Sequence, residues 1–149
     1  MPAAPLSEYT PRMNPKRLLL AIVAAFVTVF ATDFLIHGLW MMPVYHATAS
    51  LWRTDAEMQS HMGWLSAGQL LAAVTFVMIY AKGFAPIGCM KCAVIYGTMM
   101  GLFGQVSTLI SYAVQPFTLE IVWKWFVSGV AQGAILGAVT FLTYKPAAK

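Results

Sequence analysis

Four long apolar stretches, separated by short polar connections, limit how this chain can fold. They cover about residues 18–41, 63–81, 89–114 and 120–143. About 20 apolar residues in a helix cross the roughly 30 Å hydrocarbon core of a bilayer. Charged residues make up only 9% of the chain, against about a quarter in soluble domains, so they are too few to cover a soluble surface. The sequence therefore predicts an all-α integral membrane protein.

The connections and the basic residues predict how these helices are arranged. Short connections make neighbouring helices antiparallel, which predicts an up-down-up-down four-helix bundle over residues 18–144. Basic residues favour the cytoplasmic side of a membrane, and all but Arg53 and Lys124 lie in the two tails or beside the second connection. Both termini are therefore predicted to be cytoplasmic, with a proline-rich tail at 1–17 and a short tail at 145–149. The first tail is expected to be flexible unless a partner holds it.

The second span is predicted to begin before its apolar stretch. Thr54 is followed three residues later by Glu57, which is the spacing of a capping box. In that motif each side chain accepts a hydrogen bond from the other residue's backbone N–H group. A helix is therefore expected to begin near Asp55 and to continue into the span. Pro43 disfavours helical backbone at Met42, so the first span is expected to end or bend there.

Two of the spans carry glycines at four-residue spacing. Gly97 and Gly101 form one ridge, and Gly129, Gly133 and Gly137 form the other. Helices in lipid associate largely through close backbone approach, which small residues permit. The two ridges either face each other within the chain or leave one face for a partner chain. Because the connection between the two spans is short, the internal pairing is the favoured alternative.

Polar and ionisable side chains are expected to meet near the outer end of the first two spans. At 1.5 Å per helical residue, Asp33 lies about 22 Å along the first span, and His37 follows one turn later. The second span runs back in the opposite direction, which brings Gln69 near the depth of Asp33. The loop between the spans supplies further polar residues. The predicted cluster consists of Asp33, His37, His46, Arg53, Glu57, His61 and Gln69.

Three interpretations of this cluster stay open. In the first, Asp33 pairs with His37 or Arg53 and locks the first helical hairpin, because ionisable residues inside a membrane usually pair. In the second, the three histidines and a carboxylate of the cluster bind zinc, copper, iron or haem. In the third, the cluster begins a polar track for protons or solutes that continues through Gln105 and Gln132. The sequence identifies no particular cofactor.

No reactive motif supports catalysis. The serines do not occur in a GxSxG elbow, there is no HExxH pair, and no glycine-rich phosphate loop is present. The chain is therefore predicted not to be an enzyme.

Several blocks of the sequence resemble a small bacterial inner-membrane family that has no assigned activity. The similarity covers nearly all of the membrane region and implies a multi-pass protein of the bacterial cytoplasmic membrane. It implies no ligand and no mechanism. The residues that carry it are the acid-x3-His-Gly stretch at Asp33, His37 and Gly38, the ATASLWR block at 47–53, the following Glu57 and Met58, and the late Gln132 and Gly133.

The leading functional prediction is a non-enzymatic accessory or scaffold subunit of a larger membrane assembly. Small size, glycine ridges and the lack of a reactive motif favour it. The expected partners are the lipid bilayer and either other membrane subunits or further copies of this chain. Nucleic acid is not expected, because lysines beside anionic lipid account for the net charge of +4. The alternatives are a metal- or haem-binding protein and, third, a small oligomeric transporter or channel.

Overall fold

The computed structural model describes residues 13–144, and this part of the chain contains helices and no strands. Four of the helices are long and apolar enough to cross a membrane, with 26, 29, 25 and 25 residues. These four make the chain a multi-pass membrane protein. Most of the first predicted tail and all of the second lie outside the described residues. The helices are α1 (Pro15–Asp33), α2 (Met42–Ala47), α3 (Asp55–Gly83), α4 (Met90–Val114) and α5 (Leu119–Thr143).

Side-chain caps determine where α1 and α3 begin. Asn14 Oδ1 accepts a backbone N–H bond from the first turn of α1 at 3.2 Å. Pro15 takes the first helical position, where its missing N–H group has no helical partner to lose. The helix therefore starts three residues before the predicted position. The predicted capping box of α3 is confirmed: Glu57 Oε2 accepts from the Thr54 backbone N–H at 3.0 Å, and the Thr54 hydroxyl accepts in return.

The end of the first span departs from α-helical geometry. Residues Phe34–Trp40 continue α1 as a π-helical segment, in which backbone N–H groups bond to carbonyls five residues earlier. The Met41 N–H donates to the Ile36 carbonyl at 2.8 Å, which closes the last of these turns. The change of backbone geometry expected at Met42 thus begins earlier. Pro43 lies in the first turn of α2, a position that suits proline.

The glycine ridges of α4 and α5 face each other within the chain. A Cβ atom added to Gly97 would overlap the carbonyl oxygen of Gly133, and one added to Gly137 would overlap that of Ala93. Residue numbers rise along α4 as they fall along α5, so the two helices are antiparallel. The obstacles are backbone atoms, so a larger residue on either ridge requires a helix to move.

The largest buried apolar cluster lies where the start of α1 meets the end of α3. Ala21, Ala25 and Val29, four residues apart on α1, belong to this cluster. The Tyr96 hydroxyl of α4 donates to the Phe76 carbonyl of α3 at 2.6 Å, which ties these helices together. By contrast, no residue in the first part of α3, residues 55–72, is buried.

Candidate functional site

The carboxylate of Asp33 connects three helices. Gln69 Nε2, from α3, donates to Asp33 Oδ2 at 2.6 Å, and Gln132 Nε2, from α5, donates to Oδ1 at 2.7 Å. Each carboxylate oxygen is therefore an acceptor, which is the hydrogen-bonding pattern of an ionised acid. Bonds to a charged acceptor are stronger than bonds between neutral groups. Asp33 thus holds the end of α1 to both α3 and α5.

The two glutamines differ in how their amides are satisfied. Gln132 Nε2 also donates to Thr32 Oγ1 at 2.6 Å, so both of its N–H groups are used on α1. Its Oε1 atom makes no hydrogen bond within the described residues and is not buried. Gln69 Oε1, by contrast, is buried without a hydrogen-bond partner in this part of the chain. Gln132 therefore offers a free acceptor, whereas Gln69 is enclosed.

A hydrogen-bonded aromatic group continues the polar region beyond Asp33. His37 Nδ1 lies 2.6 Å from the Tyr45 hydroxyl, which also accepts the Trp125 indole N–H at 2.9 Å. The indole N–H can only donate, so the Tyr45 oxygen accepts from Trp125, and its second hydrogen-bonding contact is with the His37 ring. Burial raises the pKa of the Tyr45 phenol, the Trp125 bond lowers it in part, and the charge of Asp33 raises it. The Tyr45 phenol is therefore protonated at neutral pH.

A half-open cleft of about 300 Å³ lies between the end of the first span and the α4–α5 pair. This volume is at the lower end of the range for small-molecule sites, which is about 300–1,000 Å³. The walls carry a carboxylate, two amides, two hydroxyls and two aromatic rings. The lining residues are Asp33, Ile36, His37, Gln105, Thr108, Trp125, Ser128, Gly129 and Gln132.

Gly129 has a different role from the other ridge glycines. A Cβ atom added there would overlap the side-chain amide nitrogen of Gln105, not a backbone atom. Gln105 Oε1 accepts from the Thr108 hydroxyl at 2.7 Å, which keeps the amide over the glycine. Gly129 therefore provides the space in which a polar side chain of α4 reaches the cleft wall. Gln105 and Gln132, predicted to form a polar track, both line this cleft.

The other members of the predicted cluster lie away from the cleft. Glu57 is engaged in the capping box of α3, and His61 Nδ1 lies 2.8 Å from the Glu57 carbonyl on the same helix. His46 and Arg53 are exposed, and neither lines the cleft. Of the seven predicted residues, the structure keeps three near one another: Asp33, His37 and Gln69.

This placement corrects the expected pairing of Asp33 with His37 or Arg53. The partners of the carboxylate are amides, because the His37 ring bonds to Tyr45 instead. Within residues 13–144, no three His, Cys, Asp or Glu side chains lie close enough together to hold a metal ion.

Five residues of the cleft region were not singled out as site residues from the sequence: Ile36, Tyr45, Thr108, Trp125 and Ser128. Tyr45 is readable only as an aromatic anchor at the membrane interface. Trp125 carries the one available signal, because a buried indole N–H usually finds an acceptor. Nothing in a single sequence distinguishes Ser128 from the other serines of the spans.

Comparisons with known protein families, with curated proteins and with solved structures found no match to this chain. The geometry of the cleft and of the helix surfaces is therefore the basis for assigning a function.

Proposed function

We propose that this chain is a non-enzymatic accessory or scaffold subunit of a larger membrane protein assembly in a bacterial cytoplasmic membrane. The observation that supports this most directly is the exposed first part of α3. None of residues 55–72 is buried, and the Trp64 side chain is 80% exposed. This surface is open to a helix of a second membrane protein.

The composition of this surface suits a helix partner better than lipid. Gly63 and Ala67 form one pair of small residues four apart, and Gly68 and Ala72 form another. A Cβ atom added to either glycine would meet nothing within 4 Å. A glycine inside a helix costs roughly 0.5–1 kcal/mol relative to alanine. Where α4 meets α5, close approach of the two helices offsets this cost. Pairs of small residues are typical of such interfaces, so the pairs on α3 suit a helix of a partner protein.

The membrane arrangement in this proposal is up-down-up-down with both termini in the cytoplasm. Lys16 and Arg17 lie at the start of α1, and Lys82 and Lys91 flank the connection between α3 and α4. The positive-inside rule supports placing both of these regions on the cytoplasmic side. The Asp33 cleft would then lie towards the opposite side of the membrane.

Native mass spectrometry after purification in a mild detergent tests the proposal. The chain has a mass of 16.3 kDa, and we expect species in which it is bound to a different membrane protein. Gly68→Ile should remove that partner, because the branched side chain fills the close-approach surface. Gly104→Ile is the matched control, since Gly104 is an equally open glycine on α4.

The possible outcomes separate the alternatives. Loss of the partner with both variants, or with neither, contradicts the assignment to α3. Species at whole multiples of 16.3 kDa would show self-association in place of an accessory role. A stable monomer with no co-purifying chain would overturn the proposal.

A further inference from the structure

The cleft holds an acidic side chain without a cationic partner. The described residues, 13–144, contain one ion pair, between Lys124 and Glu120 at 2.7 Å, and it does not include Asp33. The hydrogen bonds to Asp33 all come from neutral amides. A charge that is partly removed from water is costly unless an opposite charge compensates it. The cleft beside Asp33 is therefore suited to an occupant that supplies the positive charge.

The acceptors beside Asp33 indicate what kind of cation fits. Gln132 and Ser128 are four residues apart on α5, so their side chains lie on the same face of that helix. Both N–H groups of the Gln132 amide are used on α1. Its carbonyl oxygen Oε1 makes no hydrogen bond within the described residues. The Ser128 hydroxyl donates its proton to the Trp125 carbonyl at 3.1 Å, which leaves its oxygen as an acceptor. Asp33, Gln132 and Ser128, which carry a carboxylate, a carbonyl and a hydroxyl oxygen, all line the cleft.

We propose that this cleft binds a primary ammonium group, carried either by a small soluble amine or by a lipid headgroup. An ammonium group has one positive charge and three N–H donors, which match Asp33, Gln132 Oε1 and Ser128 Oγ. The aromatic ring of Trp125 provides a further attractive surface for a cation.

Two other cations fit this site less well. A quaternary ammonium group has no N–H donor, so the carbonyl and hydroxyl acceptors would lose water without gaining a hydrogen bond. A bare sodium ion has no N–H donor for these acceptors and no apolar part to lie against Ile36 and the Trp125 ring, which line the cleft. Gln105 of α4 also lines the cleft, and an amide N–H group can donate to an oxygen elsewhere on an amine ligand.

Titration with ethylammonium chloride tests the site in the full chain, reconstituted in phosphatidylcholine nanodiscs. That lipid carries no primary ammonium group, so the cleft is free to take the probe. We expect a saturable change in tryptophan fluorescence, because Trp125 lines the cleft, together with a rise in the thermal unfolding temperature. Sodium chloride and tetramethylammonium chloride at equal ionic strength should give no saturable change.

Two substitutions locate the binding. Asp33→Asn should abolish saturation, because it removes the negative charge. Ser128→Ala should weaken binding about tenfold, the loss expected for one hydrogen bond to a charged group. It leaves the inter-helix hydrogen bonds in place, so it tests the site even if Asp33→Asn impairs folding. Ser107→Ala is its matched control, since that hydroxyl also donates to the carbonyl three residues earlier but lies outside the cleft.

Nanodiscs containing phosphatidylethanolamine distinguish the two sources of the ammonium group. If the lipid headgroup is the occupant, ethylammonium has to compete, and its titration shifts to higher concentration. If a soluble amine is the occupant, the titration stays unchanged. Either result supports the ammonium site.

Three results would overturn it: no saturation in phosphatidylcholine, an equal response to sodium, or unchanged binding by Asp33→Asn. Gly68→Ile should leave the titration unchanged, so the amine site and the partner surface on α3 can fail independently.

Discussion

The α4–α5 interface and the interface of α1 with α3 and α5 use different means to hold helices together in lipid. Between α4 and α5 the contact is steric, with the backbone at Gly97 against the backbone at Gly133. At the end of α1 the contact is polar, with Asp33 bonded to Gln69 and Gln132. Backbone atoms block an added Cβ at Gly97, Gly101, Gly133 and Gly137, whereas open space lies beside the polar contacts of Asp33. The cleft described above borders this polar contact, and side chains of α4 and α5 form its other wall.

The largest effect is expected from adding one methyl group to the steric interface. Gly97→Ala should lower the free energy of unfolding by about 3 kcal/mol, the upper end of the overpacking range, because the obstacle is a backbone carbonyl. Thermal unfolding in detergent measures it. Gly104→Ala is the control and should be neutral or stabilising, since that glycine faces open space. Equal effects at both positions would remove the distinction between the two interfaces.

Removal of one charge from the polar interface is expected to have the next largest effect. Asp33→Asn should lower the free energy of unfolding by about 2 kcal/mol, since hydrogen bonds to charged groups contribute roughly 1.5–3 kcal/mol each and an amide replaces only part of them. A double-mutant cycle with Gln132→Leu measures the coupling. Strictly additive losses would contradict a direct bond between the two side chains.

A substitution in the aromatic group beyond Asp33 should lower the free energy of unfolding by less. Tyr45→Phe removes the hydroxyl that bonds to both His37 and Trp125 but keeps the ring, so we expect a loss of about 1 kcal/mol. The unfolding temperature of Tyr112→Phe is the comparison, because Tyr112 is an exposed tyrosine on α4. A larger loss from Tyr112→Phe would show that the hydrogen bonds of Tyr45 contribute little.

The smallest effect is expected at the start of α3, away from both interfaces. Thr54→Ala removes a cap and should cost at most about 1 kcal/mol. Hydrogen exchange should become faster in the first turn of α3 and stay unchanged around Gly97 and Asp33. If exchange rises throughout the chain instead, the first part of α3 is packed more tightly than its exposure indicates.

Local features of the sequence could be predicted because each depends on neighbouring residues. The capping box needs only Thr54 and Glu57, and the apolar stretches need only their length. The meeting of Asp33 and Gln69 also follows from counting, because two helices joined by a short loop have matching depths. Their hydrogen bond is what the structure adds.

The remaining features depend on contacts that no local pattern records. Gln132 reaches Asp33 from a helix about a hundred residues later, which requires the α5–α1 packing to be known. The sequence did not show that Gly129 makes room for the Gln105 side chain. Its spacing from Gly133 is the same as that of a glycine that packs against a helix backbone. The failure of His46 and Arg53 to join the cluster has the same cause, since the direction of the loop that carries them is set by tertiary contacts.

The π-helical segment Phe34–Trp40 makes the position of His37 depend on how many residues the segment contains. An α-helix turns by about 100° per residue, so deleting one residue here would restore ordinary helical register and rotate everything after it by that angle. Exchanges among the exposed apolar residues Phe34, Leu35 and Leu39 would leave the number of residues unchanged. We therefore expect the fold to tolerate substitutions in this segment better than the deletion of one of its residues.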